Sequence, residues 1–118
     1  IIDKYLKKYI KITPALDLNF MTTCQNSTKL GKVHLKAAMH QADNTIRPQM
    51  VTKKNSPEYY KIIEAFSKVS GIGAVLNTSF NISSDPMVYS LEDAYLALER
   101  MNIKYLMTEN GIYKKKND

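Results

Sequence analysis

The chain reads as an α/β domain, and three observations carry that reading. Apolar residues recur at helical spacing around Tyr5, after Ser56 and after Ser90, with short strand-like runs between them. Hydrophobic residues fill 44% of the 118 positions, sufficient for one core. The apolar run Val75-Leu76 passes straight into Asn77-Thr78-Ser79-Phe80-Asn81. Strands of open α/β sheets end in this way at the edge where ligands bind.

At the amino end, Ile1, Ile2, Tyr5, Leu6, Tyr9 and Ile10 alternate with lysines and predict a short amphipathic helix that Pro14 ends. Leu18 to Cys24 predicts a strand, followed by a polar turn region through Gly31. Val33, Leu35 and Ala37 alternate with His34 and Lys36, which predicts a second strand over 33–39, and Ile46 to Val51 a third. The clearest helix opens at Ser56 as N-cap with Pro57 in the first turn and ends at Gly71; Tyr60, Ile63 and Ser67 share one face, and Ile62, Phe66 and Val69 lie on the next. Gly73 to Leu76 then predicts a strand. Ser90 and Asp93 have capping-box spacing for a helix whose Leu91, Ala94, Tyr95, Leu98 and Met101 form a core stripe. Tyr105–Thr108 and Gly111–Lys114 predict a closing hairpin turning at Glu109-Asn110.

The net charge of +6 does not by itself point to nucleic acid, because it sits at the ends. Residues 12–111 balance ten basic against nine acidic side chains, so the sequence shows no concentrated cationic face to release phosphate counterions, and no nucleic-acid partner is expected. The single Cys24 cannot form an internal disulfide and is expected as a buried small hydrophobe. With no secretory pattern and no apolar run of spanning length, a cytoplasmic setting without membrane contact is expected. Residue 1 is Ile and opens directly on a helical pattern, as expected of a fragment of a longer protein.

Asn77, Ser79 and Asn81 offer mixed hydrogen-bond donors and acceptors that a polar ligand could satisfy. The alternative is a turn in which they bond to their own backbone, and on the residues alone the two readings are even. His40 near Asp43 reads either as a proton shuttle or as a satisfied histidine in a polar loop. No cluster of His, Cys and carboxylates has metal-ligand spacing, so no metal site is expected in this chain.

Taken in order, His40, Asp43-Asn44-Thr45, Arg47, Gln49, Asn55, Pro57, Tyr59-Tyr60, Leu76-Asn77-Thr78-Ser79-Phe80-Asn81, Pro86, Val88 and Glu92-Asp93-Ala94 resemble the carboxy-terminal domain of the O-carbamoyltransferase family, which includes nodulation-factor and antibiotic carbamoyltransferases. The resemblance runs from about residue 40 to the end, roughly two-thirds of the chain, with residues 1–39 as a poorly matched lead-in to one domain spanning 1–118. Several motifs in the right order are far more specific than any one of them.

The resemblance implies a YrdC-like fold, a twisted mixed sheet with flanking helices, present here as a partial version of the full domain. It also implies ATP and carbamoyl phosphate as substrates, joined into carbamoyl-adenylate with release of pyrophosphate. An upstream metal-binding, ASKHA-type domain of the same protein is the implied partner, passing the carbamoyl group to a hydroxyl of a small-molecule or glycan acceptor, and any metal belongs there. Arg47 is the first site candidate, since its planar fork holds an anionic oxygen bidentately and keeps its charge. An arbitrary Arg would more often sit in a surface ion pair, and the motif around Arg47 reverses that expectation. Asn77, Ser79, Asn81 and Thr45 follow as substrate or nucleotide ligands, with His40 at the catalytic edge. Asp43 and Thr45 are expected to shape the turn that presents Arg47. Asn55 and Tyr59-Tyr60 are expected to cap and pack, and Thr78 and Phe80 to fix their loop.

Departures from the family pattern lie beside these residues. Ser83-Ser84-Asp85-Pro86 stands where Arg-Gly-Glu-Pro is usual, which removes a cation and a glycine. Asn44 stands in the usual Gly position, and Asn tolerates left-handed backbone. The family's basic upstream segment, rich in Lys, Arg, Phe and Pro, has no counterpart in residues 1–39. The expected function is therefore that of a carboxy-terminal carbamoyltransferase fragment, inactive alone; the alternative is a catalytically lapsed scaffold or interaction module of the same fold.

Overall fold

The structure, a computed structural model, describes residues 1–14 and 16–116. It is mixed α/β, with short helices and small antiparallel sheets, and it divides into two compact units, Ile1–Leu76 and Asn77–Asp118.

In the first unit, helix α1 (Asp3–Tyr9) buries Leu6 and Tyr9 and ends before Pro14 because Ile10 is already extended, opening strand β1 (Ile10–Lys11). Strand β2 (Gln25–Ser27) lies between β1 and β3 (Thr45–Ile46), antiparallel to both, pairing Ile10 with Ser27, Lys11 with Asn26, Gln25 with Ile46 and Asn26 with Thr45. Opposed residues on neighbouring strands share a face. Ile10, Ser27, Gln25 and Ile46 accordingly face the interior together, and Lys11 and Asn26 face away from it. One core cluster includes Ile1, Leu6, Tyr9, Ile10, Leu35 and Ala74; a second joins Ile2 and Val51 to Tyr60 and Ile63 of helix α3 (Pro57–Ser70). Helix α3 begins and ends where its sequence signals lie, Gly71 taking the left-handed conformation with φ of 75° that closes the last turn. Ser56 occupies the N-cap position without a side-chain bond; Asn55 and Thr52 instead exchange hydrogen bonds just before it.

Five expectations are corrected. The span 33–39 is helical: α2 (Lys29–His34) is capped by the Thr28 hydroxyl, which accepts from the Gly31 N–H at 3.0 Å, and a 3-10 turn follows at Lys36–Ala38. Its strand-like alternation arises across the junction at Leu35, which is buried, whereas Val33 is 73% exposed. The helix packs close to Tyr9 because Gly31 has no side chain; a Cβ there would lie 2.1 Å from the Tyr9 carbonyl oxygen. Residues 18–24 form turns rather than a strand, with β2 starting only at Gln25, and Cys24 is exposed. The 46–51 strand is reduced to β3 and an isolated parallel bridge from Val51 to Ile2. Residues 73–76 join no sheet.

That last segment is nonetheless anchored. The Gly73 carbonyl accepts from the Ile2 N–H at 3.1 Å, and its own N–H donates to the Tyr9 hydroxyl at 3.1 Å, which also contacts His34 Nδ1 at 3.3 Å. Ala74 is buried, whereas Val75 and Leu76 are exposed.

In the second unit, helix α4 (Leu91–Arg100) starts with the predicted capping box: Ser90 Oγ accepts from the Asp93 N–H at 3.1 Å and Asp93 Oδ2 from the Ser90 N–H at 3.0 Å. The bonds from Ser90 hold the Asp93 carboxyl below its ordinary range. Strands β4 (Tyr105–Thr108) and β5 (Gly111–Lys114) form the predicted hairpin, with Thr108 opposite Gly111. Ala94, Leu98 and Leu106 make its core, against which Phe80, Val88 and Tyr95 pack.

Candidate functional site

The sequence candidates fall into two groups, one in each unit. His40, Thr45 and Arg47 belong to the first. Asp43 is the centre of that group: its Oδ1 accepts from the Thr45 N–H at 2.9 Å and the Thr45 hydroxyl at 2.8 Å, and lies 3.2 Å from His40 Nδ1. The Thr45 bonds first, and His40 after them, hold the Asp43 carboxyl below its usual range. Asn44 sits at the tip with φ of 57°, the left-handed backbone its side chain tolerates. The result is the expected Asx-type turn, closed further by the His40 N–H to Thr45 carbonyl and Asn44 N–H to His40 carbonyl bonds.

The turn feeds β3, and β3 delivers Arg47. Ile46 and Pro48 on either side of it are buried and Arg47 is exposed, so the backbone is fixed while the guanidinium reaches solvent. Thr45 commits its hydroxyl proton to Asp43, which leaves its oxygen as an acceptor. His40 and Asp43 are both exposed, which fits a loop-shaping contact better than a sheltered proton relay.

Asn77, Ser79 and Asn81 open the second unit, Asn77 and Ser79 exposed and Asn81 half-buried. Asn81 has its amide turned to its own loop: Nδ2 donates to the Ile82 carbonyl at 3.2 Å and the Asp85 carbonyl at 3.0 Å, so of its side-chain polar atoms Oδ1 is the one left to receive a ligand donor. Phe80 fixes the loop as expected, its ring packed on the α4 core and its carbonyl accepting from the Val88 N–H. Ser84, in the usual glycine position, has φ of 75°. The backbone thus keeps a conformation that glycine adopts without cost and serine does not.

Two features escaped the sequence reading. A cleft of about 450 Å³ lies beside Asn81, lined also by Asp85, Tyr89, Asp93 and Arg100, and Arg100 Nη1 meets Asp85 Oδ2 at 2.9 Å across it. The residues of that ion pair are too far apart in sequence for any local signal. The second is the outward row of Lys11, Asn26 and Thr45, set by strand register alone. Among the described residues, no three His, Cys, Asp or Glu side chains gather as metal ligands, and no helix is long and apolar enough to cross a membrane.

Comparison with known proteins matches residues 1–115 to the family model for the carbamoyltransferase C-terminus. An uncharacterised protein of Methanocaldococcus jannaschii is 39% identical over 82 residues, covering 70% of this chain and 13% of the relative. The nodulation protein NolO of Bradyrhizobium diazoefficiens is 40% identical over 63 residues, covering 53% of this chain and 12% of its own length. The 3'-hydroxymethylcephem-O-carbamoyltransferase of Amycolatopsis lactamdurans is 26% identical over 81 residues, covering 69% of this chain and 15% of the enzyme. The chain thus matches only a small part of the length of each relative, and it belongs to the carbamoyltransferase C-terminal family.

Proposed function

We propose that this chain supplies part of an ATP and carbamoyl-phosphate site in a carbamoyltransferase. In the proposed reaction, water frees phosphate from carbamoyl phosphate, and a carbamate oxygen attacks the α-phosphorus of ATP. The α–β phosphoanhydride bond breaks and its electron pair leaves with pyrophosphate, giving carbamoyl-adenylate. A further, metal-binding domain of the same protein then passes the carbamoyl group to an acceptor hydroxyl, in a cytoplasmic setting. The match over residues 1–115 carries this reading. Arg47 is the electrostatic element, exposed on a rigid support and able to hold an anionic oxygen bidentately. In the first unit Thr45 adds a hydroxyl oxygen beside it and His40 shapes the Arg47 turn; in the second unit, taken by itself, Asn77, Ser79 and the Asn81 side-chain oxygen are the proposed hydrogen-bonding groups.

Isothermal titration of ATP into the wild-type chain and Arg47→Ala tests the assignment. Measurable binding that drops about tenfold in the variant supports it, in line with one lost charge-assisted contact. Identical affinities count against it. A second reading, a lapsed scaffold of the same fold, is favoured by Ser83-Ser84, where the cation is missing and a serine takes left-handed backbone. Carbamoyl-adenylate formation by the whole protein carrying this chain would exclude it.

A further inference from the structure

We propose that the outer face of the β1–β2–β3 sheet is a phosphate-recognition surface in which Lys11 is a second cation beside Arg47 and Asn26 bridges them; this rests on the reading of Arg47 as an anion ligand. Register places Lys11 opposite Asn26 and Asn26 opposite Thr45, so these three side chains form a row on the sheet face turned from the core. Arg47 follows β3 two residues after Thr45, between buried Ile46 and Pro48, and that alternation puts it on the same face, about 7 Å further along the chain and to the side of the row. Adjacent side chains in such a row stand about 5 Å apart, so Asn26 and Thr45 lie between Lys11 and Arg47, and the long Lys and Arg stems lean over them toward a shared anion.

The chemistry of the row is uncommitted. Among the described residues, the side chains of Lys11, Asn26 and Arg47 make no hydrogen bond or ion pair. The nearby carboxylate, Asp43, is taken up by Thr45 and His40, and the surface made by Lys11, Arg47 and Asp43 keeps one net positive charge. Two cations flanking an amide and a hydroxyl oxygen suit an anion with several oxygens, a phosphate or pyrophosphate group, better than a carbamoyl group alone. The sequence places Lys11 among terminal lysines that read as solvated, and the strand pairing singles it out from Lys7 and Lys8 on the preceding helix.

Amide NMR titration of the full chain with inorganic pyrophosphate tests the proposal, comparing wild type with Lys11→Gln, Lys11→Arg, Arg47→Gln and the control Lys7→Gln. The expected result is saturable shifts around residues 11, 26 and 45–47, weakened about fivefold by Lys11→Gln, the upper end for an exposed charge pair, and retained by Lys11→Arg and Lys7→Gln. Wild-type affinity in Lys11→Gln alongside a loss in Arg47→Gln overturns the role of Lys11 and leaves the Arg47 site standing. Equal weakening by Lys7→Gln and Lys11→Gln marks a general charge effect and also overturns it. Absence of saturable shifts in the wild type overturns this surface and the reading of Arg47 together.

Discussion

Tyr9→Phe removes one oxygen atom from the largest fully buried side chain of the first unit, and its effect follows from what that oxygen does. Tyr9 is 0% exposed, and its hydroxyl receives the Gly73 N–H at 3.1 Å in buried surroundings while contacting His34 Nδ1 at 3.3 Å. Phenylalanine keeps the ring and its packing near Tyr5, whose ring centroid lies 5.9 Å away. The variant therefore isolates the polar term. It loses a hydrogen bond worth about 1 kcal/mol net and leaves a buried N–H without an acceptor, which brings the total to about 2 kcal/mol. In a unit of this size that lowers the thermal midpoint by roughly 8–16 °C. Urea unfolding followed by circular dichroism measures the loss, and amide hydrogen exchange locates it, because the Gly73 N–H is expected to lose protection selectively. A loss below about 0.5 kcal/mol with unchanged Gly73 exchange refutes the claim that Tyr9 anchors the segment entering the Asn77–Asn81 motif.

Two other outcomes follow from particular contacts. Gly31→Ala places a methyl carbon 2.1 Å from the Tyr9 backbone oxygen, which no rotamer change relieves, so a loss of about 3 kcal/mol or more is expected in denaturant unfolding. Ser84→Gly relieves left-handed backbone at φ of 75° and is expected to stabilise the second unit by roughly 1 kcal/mol, read as a raised urea midpoint; a destabilised variant would show that the serine side chain offsets its strain.

Much of the fold was legible where boundary signals are local. Ser56-Pro57 and Gly71 mark α3, the Ser90–Asp93 box marks α4, and Glu109-Asn110 marks the hairpin turn, each within a few residues of what it terminates. Strands were read less well because a strand exists only with a partner. Gly73–Leu76 has the composition of a strand, yet its Gly73 groups bond to Ile2 and Tyr9 and no ladder forms. Val33–Ala37 alternates like a strand, and the Thr28 cap, together with the close approach of Gly31 to Tyr9, makes it helical. Within the candidate site, the Asp43 turn was legible because Asx chemistry spans two or three residues. The row from Lys11 to Thr45 was not, because it depends on the register of three strands distant in sequence.

The exposed Cys24 is the chain's single cysteine and sits one residue before β2. A thiol-reactive fluorophore therefore attaches at one defined position, next to the strand that carries Asn26 and with the buried sheet face undisturbed. The anion binding proposed for the outer face would then be read as an optical signal, obtained without introducing or deleting any residue.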